Sequence, residues 1–314
     1  MDDSLPRIVL ANEYLRATIL PSLGGKVGSL LVLPENAELL QQPLRPYAPR
    51  TRTMVFDDGD ASGYDECIPS VSGCEILTQS GTLHIPDHGD FWRLPCDVLA
   101  VDKNDVTLES TGFSLPLTLR KTIRLDGPRL LFSYELQNTA SQPIPYLWSA
   151  HPGFAVDTGD RVVLPPSVDR VTVEWSARER LGVQGAFHPW PVNGFGSGDV
   201  IDLSLVGSAA DGVGDKLFAV APAEGWCALT RRRLGRTVTM HFDPLQATHL
   251  GLWLCYAGWP QGQASKQFCV ALEPCTAPTD SLAVAMREGW AKLLAPQSKD
   301  LWQVEVQISN SKGD

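Results

Sequence analysis

Three polar islands interrupt a chain otherwise made of short apolar runs. They are DDGDASGYDECIPS at 57–70, PDHGDFW at 86–92 with SAHPGF at 149–154, and ALEPCTAPTD at 271–280. Each falls in a loop or at a strand end, where β proteins keep functional side chains. Taken singly, they suggest three chemistries, and each meets an objection. His84 and His88 have metal-like spacing, but Pro86 between them forbids the helix that would bring both imidazoles to one face, so no metal site is expected. Asp58-Gly59-Asp60-Ala61-Ser62-Gly63 opens like a calcium loop, yet its twelfth position is Pro69 instead of a bidentate Glu. Cys275, close to Glu273, invites a thiol nucleophile. A cysteine at a strand end is ordinarily buried and inert, and nothing in the sequence sets a histidine beside this one.

The elements that must hold these islands are strands. Frequent Gly and Pro punctuate short extended runs, and few stretches carry a helical period. Period-two series occur at Leu15, Ala17 and Ile19; at Leu130, Phe132 and Tyr134; and at Val171 and Val173. Two more run through Val238, Met240 and Phe242, and through Trp302, Val304, Val306 and Ile308. Each series would present one face of a sheet. Leu125-Asp126-Gly127-Pro128 and Pro21-Ser22-Leu23-Gly24-Gly25 read as tight turns between antiparallel strands. One helix is expected near the C-terminus, capped by Asp280 or Ser281, carrying Leu282, Ala285, Met286, Leu293 and Leu294 and ending before Pro296. Residues 41–70 and 185–215 are Pro/Gly-rich and read as long loops. Strand patterns of the same composition resume on both sides of them, so a single domain over 1–314 is expected.

Composition bounds the function. With 314 residues, 43% of them hydrophobic, the chain can bury a continuous core without disulfides or structural metals. A balance of 26 Lys plus Arg against 36 Asp plus Glu, formally −10, argues against nucleic acid and against an anionic membrane as partners. The start MDDSLPRIVL lacks the basic and apolar regions of a secretory signal, and no run of apolar residues is long enough to span a bilayer, so a cytoplasmic protein is expected. Seven cysteines without a C-x-x-C pair read as reduced, packed thiols.

Read together, the islands form a constellation. IVLANEYLRATILPSLGGKVGSLLV, PDHGDFW, LRKTIRLDGPRLLFSYELQNTASQPIPYLWSAHPGF and ALEPCTAPTDSL resemble, in order and over nearly the whole chain, the aldose 1-epimerase (galactose mutarotase-like) family. The resemblance implies an all-β fold, a β-supersandwich of large twisted antiparallel sheets with an open sugar cleft. It also implies interconversion of the α and β anomers of a free sugar without a cofactor; a small-molecule carbohydrate is the expected partner, and a monomer or homodimer is expected. Carried over residue by residue, Glu273 matches the general base, His151 the general acid, and His88 a second histidine near the anomeric centre.

That chemistry needs these residue types. Ring opening requires a base for the anomeric hydroxyl proton and an acid for the ring oxygen, and closure on the other face reverses both transfers. The intermediate is a neutral aldehyde, so no metal, nicotinamide or covalent adduct is required. Partial burial beside Pro274 is expected to raise the Glu273 carboxyl toward working pH. Trp92, Trp148 and Trp253 are candidates to stack on the sugar, with core packing as the default for at least one of them. Asp65 and Glu66 are candidate acceptors for sugar hydroxyls.

One departure bears on the substrate. Hexose mutarotases carry an Asn-Arg dipeptide ahead of the first histidine; here the corresponding stretch holds Arg45, Arg50 and Arg52 and runs into GYDECIPS. Arg52 is taken as a candidate contact to the sugar. Two alternatives stay open: a sugar-phosphate mutarotase using Arg45, Arg50, Arg52 and Arg93, and a carbohydrate-binding or regulatory protein of the same fold without turnover.

Overall fold

The period-two runs form strands. The computed structural model describes residues 5–59, 62–78, 81–194 and 200–311. Leu15, Ala17 and Ile19 point inward from Leu15–Leu20, as do Leu130, Phe132 and Tyr134 from Arg129–Asn138. Arg236–Phe242 and Lys299–Asn310 bury their expected series in the same way.

Two large antiparallel sheets carry the fold. The first has 11 strands, and its central path runs Lys26–Val32, Tyr64–Cys67, Ser149–Ala155, Phe268–Cys275, His249–Tyr256, Val213–Val220 and Arg170–Ser176. The second has eight, with Lys299–Asn310 between Arg236–Phe242 and Arg129–Asn138. Their inner faces share one apolar core. Tyr64 of the first sheet packs on Phe132 of the second with ring centroids 4.3 Å apart. The architecture is all-β, a sandwich of large antiparallel sheets.

Two expectations need correction. Within the expected 41–70 loop, Tyr64–Cys67 is a fully buried strand in the middle of the first sheet. Its sequence hides this because the two faces of the strand carry Asp65 and Glu66 in place of apolar residues. Both charges are tolerated in the interior because each has a lysine: Lys26 at 2.5 Å from Asp65 and Lys121 at 2.6 Å from Glu66. Short strands also cross the expected 185–215 loop, at Phe187–Pro189 and Val200–Asp202. Asp60 and Ala61 of the acidic island lie outside the described residues.

The C-terminal helix is shorter than its pattern. Leu282–Glu288 is capped by Ser281, whose hydroxyl accepts from Val284 N at 3.4 Å, and it stops at Gly289 with φ +75°. A glycine in the left-handed region closes a helix without the Cβ penalty. Lys292–Leu294 then pairs as a strand with Ile144–Tyr146. No helix among the described residues is long and apolar enough to cross a membrane.

Candidate active site

Strand register assembles the site, because residues opposed on neighbouring strands share a face. Asp65 is opposite His151. Ser149 is opposite Cys275 and Gly153 opposite Ala271, which puts His151 opposite Glu273 midway along the same ladder. Glu273 in turn is opposite Gly251. A Cβ on Gly251 would lie 3.0 Å from Glu273 Oε2, so the glycine leaves the carboxylate its room. The adjacent row brings Gly153, Ala271, Trp253, Lys216 and Trp175 to this same face. A bulge between Val173 and Trp175 shifts the register and turns Trp175 toward Lys216.

A cavity of about 300 Å³ lies over these rows, at the small end of ligand sites and of a size for a monosaccharide. Its polar lining includes His88, His151, Lys216, Glu273 and Asp280. Its walls are Phe56, Trp175, Trp253 and Trp259. The Trp175 ring lies 5.8 Å from Trp253 and 5.5 Å from Trp259. Phe56 stacks on His88 at 3.6 Å and meets His151 edge-on at 5.3 Å.

The PDHGDFW island positions His88. Its ring Nδ1 bonds to Asp87 Oδ2 at 2.8 Å. Gly89 passes so close to Ile68 that a Cβ would fall 1.9 Å from the Ile68 carbonyl oxygen. Asp90 turns away and accepts from Phe113 N, Ser114 N and Ser114 Oγ, each at 2.8 Å. Burial would raise the Asp87 carboxyl, but the bond and charge of His88, with Arg93 and the backbone of Gly73, together outweigh this and hold it low.

Glu273 is fully buried, and its two oxygens have different surroundings. Oε2 pairs with the Lys216 ammonium and accepts weakly from Ser149 Oγ at 3.4 Å. Oε1 accepts from no described residue. Burial alone would push this carboxyl up; Lys216, then His151, override it and hold it below the ordinary glutamate value. The sequence-based expectation of a raised Glu273 is therefore corrected, and the cause is the ion pair. Lys216 also lies 3.4 Å from Asp280 Oδ1. Burial disfavours its charge, but Asp280 and then Glu273 more than compensate, so it stays protonated. Burial pushes Asp280 up to about 6, against the pull of Lys216. It pushes His151 down to about 4, against the pull of Glu273.

Of the other candidate contacts, only Trp253 lines the cavity. Trp148 is a core residue, packed between Tyr134 at 5.8 Å and Trp302 at 5.2 Å. Trp92 is 1% exposed beneath the guanidinium groups of Arg50 and Arg93. Glu66 points into the inter-sheet core, where it pairs with Lys121 and accepts from Tyr134 Oη at 3.0 Å. Asp65 shares the His151 row, but it is buried and paired with Lys26, so it backs the site instead of facing a ligand. Arg52 lies over the Phe113 ring at 5.1 Å, away from the cavity. Arg93 donates to the carbonyl oxygens of Arg52 and Asp87. Lys216 is the only lysine or arginine among the described lining residues.

Sequence reasoning missed Lys216, Asp280, Phe56, Trp175 and Trp259. Lys216 had a signal: with Asp215 before it, it is one of two charged residues inside VGDKLFAV, an otherwise apolar strand. The bulge that turns Trp175 has none.

No protein-family model and no curated protein matches the chain. Solved structures do match its fold. An inferred aldose 1-epimerase from Escherichia coli K12 superposes with a TM-score of 0.72 at 14% identity, over 98% of this chain and 100% of its own. A galactose mutarotase related enzyme from Lactobacillus acidophilus gives 0.71 at 15% identity, over 98% and 99%. A galactose mutarotase-like protein from Clostridium acetobutylicum gives 0.67 at 15%, over 98% and 96%. The chain has the galactose mutarotase-like fold, in a sequence far diverged from these proteins.

Proposed function

We propose that this chain, working as one domain over 1–314, is an aldose 1-epimerase that interconverts the α and β anomers of an unphosphorylated sugar. One observation carries the reading: Glu273 lines the cavity with a buried Oε1 that no described residue donates to, and His151 is opposite it on the next strand. An unmet buried acceptor costs about 1–3 kcal/mol, which a bound hydroxyl would recover. Glu273 takes the anomeric proton through Oε1 while Lys216 and Ser149 hold Oε2. His151 serves the ring oxygen as the imidazolium, a minority form because burial holds His151 down at about 4 even against the pull of Glu273. His88, oriented by Asp87, donates to the oxygen that becomes the aldehyde. The indoles of Trp253, Trp175 and Trp259 offer apolar faces to the sugar ring.

The phosphorylated alternative loses support, since Arg52 and Arg93 have other contacts and the cavity lining holds Asp57, Asp87 and Asp280 besides Glu273. The alternative of binding without turnover draws on one fact: the ion pair with Lys216 weakens Glu273 as a base. Polarimetry on freshly dissolved anomers of a panel of free aldoses separates these readings. Acceleration supports the epimerase, whereas saturable binding with no acceleration supports the binding protein. Free thiols agree with the cytoplasm as the proposed compartment.

A further inference from the structure

Cys67 has no part in the proposed epimerase chemistry, yet it lies beside it. Opposite Ser149 and two residues along the strand from Asp65, it projects from the same face as His151. One ligand atom from each of Cys67, His88 and His151 lies within 4.8 Å of the other two. The His88 and His151 rings stand edge to face with centroids 5.1 Å apart. We propose that Cys67, His88 and His151 form a binding site for a thiophilic divalent cation, Zn2+ foremost, whose open fourth position faces the cavity.

Three features carry this assignment. First, one thiol and two imidazoles are a soft, nitrogen-and-sulfur donor set of the kind that selects Zn2+ over Mg2+ or Ca2+. Second, His88 Nδ1 is engaged by Asp87 Oδ2 at 2.8 Å, which leaves Nε2 as the coordinating atom. This is the carboxylate–histidine arrangement that orients metal-bound imidazoles. Third, His88 and His151 line the cavity while Cys67 is fully buried, so three ligands would sit at the base and the remaining position would be open to water or a sugar hydroxyl. Tetrahedral Zn2+ needs its ligand atoms roughly 3.3–3.7 Å apart, a closure within reach of side-chain rotation. Binding replaces the thiol proton with the metal and releases that proton to solvent. A metal here would occupy the two histidines of the proposed acid/base site and so block anomer exchange reversibly. That consequence rests on the epimerase reading; the binding site does not.

The test is metal binding by the full chain without sugar, after treatment with a chelator. Zn2+ should bind 1:1 in competition with a chromogenic chelator. Co2+ should give a thiolate-to-metal charge-transfer band. Asp87→Asn should weaken Zn2+ binding about 10- to 100-fold by freeing His88, and Cys67→Ser should abolish the Co2+ band. If the wild-type protein gives no charge-transfer band with Co2+, or if Asp87→Asn binds Zn2+ as tightly as wild type, the site is refuted. These readouts stand even where Cys67→Ser does not fold. Anomer exchange measured separately in chelator tests the epimerase reading, so either proposal can fail without the other.

Discussion

His151 and Glu273 face each other across two neighbouring antiparallel strands, and Lys216 grips the Glu273 oxygen Oε2 while Oε1 accepts from no described residue. The carboxylate is thus held at one oxygen and without a described donor at the other. This asymmetry makes Lys216 a positioning residue, and it leads to the first prediction.

Lys216→Met should cost about 3–5 kcal/mol of stability, because it leaves Glu273 as an unpaired charge in the interior. Lys216→Met with Glu273→Gln should cost less than the two single changes added together, since the double variant removes both charges. Urea unfolding of the four proteins measures the coupling. Additive costs would show that the pair does not act as a unit.

Asp280→Asn should change how stability depends on pH. The Asp280 carboxyl is raised in the folded protein from 3.8 to about 6. Its contribution is therefore fully present below about pH 4 and is lost as pH rises through 6. Asparagine has no such loss, so the variant should gain on wild type between pH 4 and 7, by on the order of 2 kcal/mol. Denaturation midpoints across this range check the sign. Parallel curves would contradict the raised carboxyl.

The tryptophans divide by face. Trp253→Ala should weaken sugar binding about three- to tenfold with little loss of stability, because an aromatic contact to the sugar disappears. Trp148→Ala should cost about 3–5 kcal/mol and leave sugar affinity unchanged, because its ring fills the core between Tyr134 and Trp302. Isothermal titration and chemical denaturation of both variants test the division. It fails if Trp148→Ala alone loses affinity.

The contrast between these two indoles also marks what was legible in the sequence. Period-two burial at Leu130, Phe132 and Tyr134 follows from the alternation of residues alone, and the strand forms as read. The islands around His88, His151 and Glu273 were visible as breaks in that pattern, and register then brings His151 and Glu273 together. Tyr64–Cys67 was not legible, because a strand that buries Asp65 and Glu66 makes sense only with Lys26 and Lys121, which come from distant positions in the chain. Whether Trp148 or Trp253 faces a ligand depends on which side of a sheet each takes, and Trp175 depends on a bulge that no local propensity announces.

The central claim is that Glu273 is the base for ring opening. Its most direct test is magnetisation exchange between sugar anomers by NMR, with the chelated wild-type protein and with Glu273→Gln. Wild type should accelerate exchange for at least one free aldose, and the variant should lose about 10²- to 10⁴-fold while still binding the sugar. Acceleration by Glu273→Gln equal to that of wild type would contradict the account.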